Sequence, residues 1–237
     1  MIDAGLPVRA FFTTRTGGQS QPPYASLNVA THVGDDPEAV AANRAVVARH
    51  ADAPVTFLNA AHGVRVEWIT EAGREPPPAD VLITTTPGVA LGAIAADCVP
   101  LLLHDGGTGA VAAVHAGRPG LYAGVIDAAM AALIDLRGKS TPTTSISASI
   151  GPSVCGKCYE VPEQMRAEVS ARHRAAFATT SWGTPALDLP RAVEARLGEL
   201  GVRTIVRIPV CTLEDQQVFS HRRDGLTGRH AGVIVHP

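Results

Sequence analysis

The chain has 237 residues, 46% of them hydrophobic but only 4% aromatic, and a formal net charge of −2. That length suits one large domain or two small ones around an aliphatic core, and the near-neutral charge gives no electrostatic footprint for nucleic acid or an anionic membrane. Four cysteines in so long a chain make no disulfide framework, the N-terminus has no basic segment leading into an apolar stretch, and Asp97, His104 or Asp105 breaks the longest apolar runs well short of a bilayer span, so a soluble, cytoplasmic protein is expected.

In chain order, an apolar strand over residues 8–12 runs into the loop Thr13-Thr14-Arg15-Thr16-Gly17-Gly18. A helix is predicted from about Asp36-Pro37, because Asp35 or Asp36 can cap it and Pro37 suits a first helical position; residues 39–50 supply its Ala/Val-rich body. A strand over 64–69 precedes Pro76-Pro77-Pro78, which must be extended. Short apolar runs at 81–85, 89–95, 99–104 and 110–115 read as strands, and Asp-Gly-Gly-Thr-Gly before the last is a hairpin signal. One helix is expected over 121–136, with Leu121, Val125, Ala128, Ala132 and Leu136 on its inner face. Strands at 145–150 and 203–209 and helices at 162–177 and 189–200 complete a mixed α/β domain without internal repeats.

Three potential metal ligands sit beside small residues at the edges of these runs: His62 in Ala61-His62-Gly63, Cys98 in Asp97-Cys98-Val99-Pro100, and His115 in Val114-His115-Ala116-Gly117. A thiolate with two imidazoles suits zinc and leaves the fourth tetrahedral position open for chemistry. Their separation matches no contiguous motif, and each alone also reads as a loop histidine, a small buried thiol or a core histidine. A cysteine hydrolase with Cys98 as nucleophile and His115 as its base is a second reading, although it leaves His62 without a task. A third is a binding module that keeps the zinc for stability. Cys155-Gly156-Lys157-Cys158 has no second Cys-x-x-Cys to complete a zinc ribbon, so it reads as a pair of reduced thiols in a loop. Arg15, Arg222, Arg223 and Arg229 lie in Gly-rich or polar loops that can present guanidinium forks to phosphate, or can pair with Glu214, Asp215 and Asp224 on the surface.

Taken together, Thr14-Arg15-Thr16-Gly17-Gly18, Ser26-Leu27-Asn28, His32-Val33-Gly34-Asp35-Asp36-Pro37, His62-Gly63, Ala96-Asp97-Cys98-Val99-Pro100 and Val114-His115-Ala116-Gly117 form an ordered series. Gly151-Pro152-Ser153, Tyr159-Glu160-Val161, Cys211-Thr212, Phe219-Ser220-His221-Arg222-Arg223 and Thr227-Gly228-Arg229 continue it. In these motifs the chain resembles the laccase-domain or YfiH-like family, whose members carry the name multicopper polyphenol oxidase. The resemblance implies an α/β (α+β) sandwich, a single domain over residues 1–237 with mixed sheets flanked by helices. It implies zinc on His62, Cys98 and His115, and phosphorolysis of adenosine, inosine and methylthioadenosine to the free base and ribose 1-phosphate, with adenosine deamination beside it. Asp97, His32 and His221 are proton-shuttle candidates by type, and Arg15, Asn28, His32, Arg222, Arg223 and Arg229 are candidates for holding nucleoside and phosphate.

A laccase-like polyphenol oxidase with Cu2+ in the same His/Cys site is the alternative. The nine histidines include no His-x-His pair, which argues against a multicopper centre. Two departures from the family pattern stand out. Its His-Ala-Gly-Trp-Arg-Gly is here His115-Ala116-Gly117-Arg118-Pro119-Gly120, and its Gln-Val-His-Gly is Ala60-Ala61-His62-Gly63.

Overall fold

The computed structural model describes residues 1–73, 75–137 and 145–237. Its strands, in chain order, are β1 (Ile2–Asp3), β2 (Ala10–Phe12), β3 (Val55–Phe57), β4 (Val66–Trp68), β5 (Val81–Thr84), β6 (Ala90–Ala95) and β7 (Val99–Asp105), followed by β8 (Val111–Ala116), β9 (Ile146–Ile150), β10 (Phe177–Thr179), β11 (Pro185–Leu187), β12 (Thr204–Arg207) and β13 (His230–Val235). The helices are α1 (Pro37–Ala51), α2 (Arg118–Ala123), α3 (Val125–Asp135), α4 (Glu163–Arg172), α5 (Leu189–Glu199) and the single turn α6 (His221–Asp224). A five-stranded sheet has the order β1-β2-β13-β6-β3 and a six-stranded sheet the order β12-β9-β7-β8-β5-β4; both mix parallel and antiparallel pairs, and β10–β11 form a small ribbon. The fold is α+β.

Alternation along the strands builds the layers. In the six-stranded sheet, Leu82, Leu102 and Ala113 pack with Phe12, Leu91, Ala93 and Ile234 of the other sheet. Their neighbours Val81, Ile83, Leu101, Leu103, Ala112 and Val114 face the opposite way, onto Ile126, Met130 and Leu133 of α3 and Val193 and Leu197 of α5. A sheet covered on both faces needs near-continuous apolar strands, which is why β5, β7 and β8 read as unbroken hydrophobic runs. The outer face of the five-stranded sheet is closed by Val47 and Ala51 of α1, packed with Phe11, Ile94 and Val233. Between the sheets, the Phe12 ring lies where a Cβ on Gly151 would meet it at 2.2 Å and one on Gly232 at 2.7 Å. Burying a side chain of this size contributes roughly 1.5–3 kcal/mol, and either glycine replaced by alanine would forfeit part of it.

Most expected elements are present; the short strands β1, β3 and β11 and the turn α6 are additions, and larger differences concern two helices and β13. The helix expected over 121–136 is two helices. Gly124, at φ 100°, ends α2 and starts α3, and the break resets the helical phase, so Val125, Ile126, Ala129, Met130 and Leu133 are buried while Leu136 is exposed. The helix expected over 162–177 ends at Arg172, and Phe177 begins β10. β13, for which no strand was expected, forms the centre of the five-stranded sheet between β2 and β6. The Asp-Gly-Gly-Thr-Gly hairpin forms as expected: Asp105 accepts from Gly107 N (2.8 Å) and Thr108 Oγ1 (2.8 Å), and Gly109 takes φ 80°. Residues 138–144, just before the strand expected at 145, lie outside the described residues. No helix among the described residues is long and apolar enough to cross a membrane.

Candidate metal centre

The two sheets are joined where β6 of one passes into β7 of the other, through Ala96-Asp97-Cys98. Asp97 turns the chain at φ 91°, a costly conformation for a non-glycine residue. The rest of the structure holds it there: Asp97 Oδ1 accepts from Thr212 Oγ1 (2.6 Å) and Ser220 Oγ (2.7 Å), and Oδ2 accepts from Arg222 N (2.6 Å). The sharp turn presents Cys98 to His115 on β8 and to His62 in the loop between β3 and β4. Their ligand atoms lie within 4.8 Å of one another. Cys98 Sγ is 3.9 Å from His62 Nε2, and the two imidazoles stand edge to face with centroids 4.7 Å apart.

Behind the histidines lies Asp80, which the sequence reading did not single out. Its carboxylate accepts from the backbone N–H groups of Ala61 (3.3 Å), His62 (2.9 Å) and Gly63 (2.7 Å), which fixes His62 at φ 59°. The same carboxylate lies 2.9 Å from His115 Nδ1, so the Nε2 atom of His115 is left to face the thiol. A carboxylate behind a metal-binding imidazole sets its tautomer and raises its basicity. Burial works against the Asp80 carboxylate, but His115 and the Gly63 and His62 N–H groups outweigh it and hold it below its ordinary value. Burial likewise opposes a charged His115, yet Asp80 and Cys98 lift it to about 9. The Cys98 thiol is pulled down to about 6, because hydrogen bonds to His115 and His62 overcome its burial. A thiolate beside two imidazoles is the donor set zinc favours. Zinc bonds of about 2.3 Å to sulfur and 2.0–2.1 Å to nitrogen place neighbouring tetrahedral ligands about 3.5 Å apart, a few tenths of an ångström closer than Cys98 and His62 stand here. The residues fit a metal.

Gly117 completes the cradle. A Cβ there would come within 2.8 Å of His62 Cδ2, 3.1 Å of Cys98 Sγ and 3.3 Å of His115 Cε1. The glycine of the His-Ala-Gly motif is therefore required by the close approach of all three ligands.

The open side of the triad meets a cavity of about 340 Å3 whose wall includes His32, His221 and Arg229. His32 is held below its ordinary pKa by burial and by the charges of Arg229 and Arg44, so near neutrality its ring is uncharged. Asn28 is fully buried; its Oδ1 accepts from Ala30 N and Arg229 N, and its Nδ2 donates to Ala30 O and Asp35 Oδ2. It therefore positions Arg229 from behind. Arg15 stacks on Phe219 at 4.9 Å, donates to Ala25 O and faces Asp224 at 3.6 Å. Arg222 covers Tyr159 at 5.1 Å and donates to Glu160 O, on the wall of a neighbouring cavity. Arg223 spends its guanidinium on the carbonyls of Thr212, Asp215 and Val218 and on Asp224. The structure thus gathers His32, His221 and Arg229 around the triad, and places Arg15 in a loop and Arg222 and Arg223 on the turn α6, outside that cavity wall. Arg118, where the resemblance implies tryptophan, lies near enough to Tyr159 for its charge to oppose the rise that burial imposes on the phenol.

Residues 9–237 match the family described as multi-copper polyphenol oxidoreductase laccase. The chain is 48% identical over 228 residues to a purine nucleoside phosphorylase of Streptomyces coelicolor, covering 94% of this chain and 93% of the relative. It is 43% identical over 236 residues to a purine nucleoside phosphorylase of Mycobacterium tuberculosis strain H37Rv, covering 98% and 93%. Among solved structures it is similar to the YlmD protein of Geobacillus stearothermophilus, with a TM-score of 0.88, 31% identity, and coverage of 99% of this chain and 95% of that one. A Neisseria meningitidis protein gives a TM-score of 0.86 at 36% identity, covering 97% and 95%.

Proposed function

Given that this chain belongs to the multi-copper polyphenol oxidoreductase laccase family, we propose that it is a zinc-dependent purine nucleoside phosphorylase that also deaminates adenosine. The observation that carries this reading is one three-ligand centre, His62, Cys98 and His115, opening onto a cavity walled by His32, His221 and Arg229. Relatives at 43–48% identity over nearly the whole chain are named purine nucleoside phosphorylases.

When bound, zinc supplies a Lewis acid that polarises an oxygen ligand and makes water more acidic. Cys98 and the two histidines hold it, with Asp80 keeping His115 in the tautomer that presents Nε2. In phosphorolysis, Arg229 neutralises phosphate at the anomeric carbon, and Asn28 fixes the backbone from which that guanidinium extends. The departing purine must gain a proton near N7, and His221 on the cavity wall delivers it, while His32 offers a neutral ring to the nucleoside. His221 Nδ1 is committed to Gly225 O at 2.7 Å, so Nε2 is the ring nitrogen available for that transfer. Asp97 acts as a positioning residue, since its carboxylate already accepts from Thr212, Ser220 and Arg222. Arg15, Arg222 and Arg223 shape the loops around the cavity.

The family description favours copper, and a His2Cys set is also the core of a blue-copper site. Such a site takes a weak axial ligand, commonly methionine. Met130 is buried in the helix-side core and Met165 packs against it, and neither lines the cavity. We therefore read polyphenol oxidation as a property of copper substituted into the zinc position. We place the protein in the cytoplasm, where its four free thiols stay reduced. We read residues 1–237 as one domain, because β2 and β13 from opposite ends of the chain are paired. Chromatography of adenosine incubated with zinc-loaded protein, with and without phosphate, tests the function. Adenine and ribose 1-phosphate should form only with phosphate present, and inosine should form without it; formation of neither adenine nor inosine would refute the purine reading.

A further inference from the structure

We propose that Cys155, Cys158, Cys211 and Glu214 form a second metal site, a zinc centre of three thiolates and one carboxylate that is separate from the His62–Cys98–His115 centre. Their ligand atoms lie within 4.8 Å of one another, and Cys158 Sγ is 3.3 Å from Glu214 Oε1.

The backbone carries the argument further than the cluster alone. Cys155-x-x-Cys158 lacks a second Cys-x-x-Cys, but Cys211-Thr212-Leu213-Glu214 repeats its spacing with a carboxylate as the last ligand. The two segments also share one turn. Cys155 O accepts from Cys158 N (3.0 Å) and Tyr159 N (2.9 Å), and Cys211 O accepts from Glu214 N (3.1 Å) and Asp215 N (2.9 Å). Each turn thereby puts its two ligands on one side. The turns are locked face to face: Ser153 and Cys211 form a parallel bridge, and Cys155 N donates to Cys211 Sγ at 3.4 Å. Two short turns, each giving two ligands with two residues between them, are the construction of a closed structural zinc site. Cys158 and Cys211 are buried, Cys155 is half-buried and Glu214 is exposed, so the sulfurs form the floor and the carboxylate the outer, exchangeable ligand. Metal entry releases the thiol protons to solvent and changes no oxidation state.

The position gives the site a purpose. Val154 N donates to Asp97 O at 3.0 Å, and Thr212 Oγ1 donates to Asp97 Oδ1. Both turns therefore grip the strained residue that aims Cys98, and a metal joining them stiffens that grip. This inference does not depend on purine chemistry.

The test is metal content of untagged protein, purified with reductant and without added chelator. About two zinc ions per chain are expected, falling to about one in Cys158→Ala and, independently, to about one in His62→Ala. X-ray absorption at the zinc edge should average about two sulfurs per metal across both sites, and about three in His62→Ala. Should Cys158→Ala fail to fold, the wild-type protein still decides the matter: Cys155, Cys158 and Cys211 should resist a thiol reagent until zinc is stripped. A single zinc per chain lost on His62→Ala, free reaction of those three thiols in the zinc-loaded protein, or a disulfide among them under these conditions would each overturn the proposal.

Discussion

Cys98 and Cys158 are both enclosed thiols flanked by potential metal ligands, yet their surroundings drive them in opposite directions. Burial opposes the charge on both. At Cys98 two imidazoles more than offset it and bring the thiol down to about 6. At Cys158 the neighbours are Glu214 and the Cys155 and Cys211 thiols, so each adds to burial and the thiol is pushed far above its ordinary value. The difference teaches that the first site is arranged in advance by a buried carboxylate and two imidazoles, whereas the second needs a cation to hold its thiolates together. The first also opens on a cavity, as a reactive centre must. The second also borders a cavity, of about 400 Å3, through Cys155, Cys211 and Glu214, but its four ligands leave a tetrahedral ion no open position.

The strongest way to break this contrast is Cys98→Ala, which should abolish nucleoside turnover and remove the zinc of the first site while the zinc at Cys155, Cys158 and Cys211 stays; paired metal and activity assays read both. Asp80→Asn comes next. It keeps the shape but removes the charge that orients His115, and zinc affinity at the first site should fall about 10–100-fold in a competition titration against a chelator. Arg229→Met should raise the phosphate KM by about tenfold, the size of one lost charge-assisted hydrogen bond, with adenosine deamination in the absence of phosphate little changed.

Asp105→Asn should leave both metal sites untouched and so sharpens the comparison from the far end of β7. Burial would raise the Asp105 carboxyl, but Arg137 and the Gly107 N–H hold it well below the usual carboxylate range. Its stabilising contribution is therefore complete above about pH 3.9 and is lost as pH falls toward the depressed folded value. Breaking this buried pair should cost about 3–5 kcal/mol in denaturant unfolding at neutral pH. The gap between variant and wild type should narrow in acid.

Much of this was legible in the sequence because buried strands must be apolar and tight turns must use glycine: β5 to β8, the hairpin at Asp105 and the α1 cap followed directly. His62, Cys98 and His115 were visible as ligand types, and their convergence was implied by resemblance rather than by spacing. Asp80 was not legible, since a single aspartate before a strand looks the same whether it caps a loop or orients a ligand. Glu214 was hidden because a carboxylate completes a pattern usually sought in cysteine alone. The arginines could not be sorted, because whether a guanidinium is spent wholly on carbonyls and a carboxylate, as in Arg223, or gives one nitrogen to Thr227 O and Gly228 O and still lines a cavity, as in Arg229, depends on loops that meet only in three dimensions. The break at Gly124 was missed because the apolar period runs through it.

Turnover at the first site should depend on zinc held by His62, Cys98 and His115. The most direct test is phosphate-dependent release of adenine from adenosine, measured against zinc content in samples of a Cys155→Ser, Cys158→Ser variant reloaded to different extents. Activity should rise in proportion to bound zinc and level off at about one ion per chain. Full activity in zinc-free protein, or none at full occupancy while the fold stays intact, would contradict it.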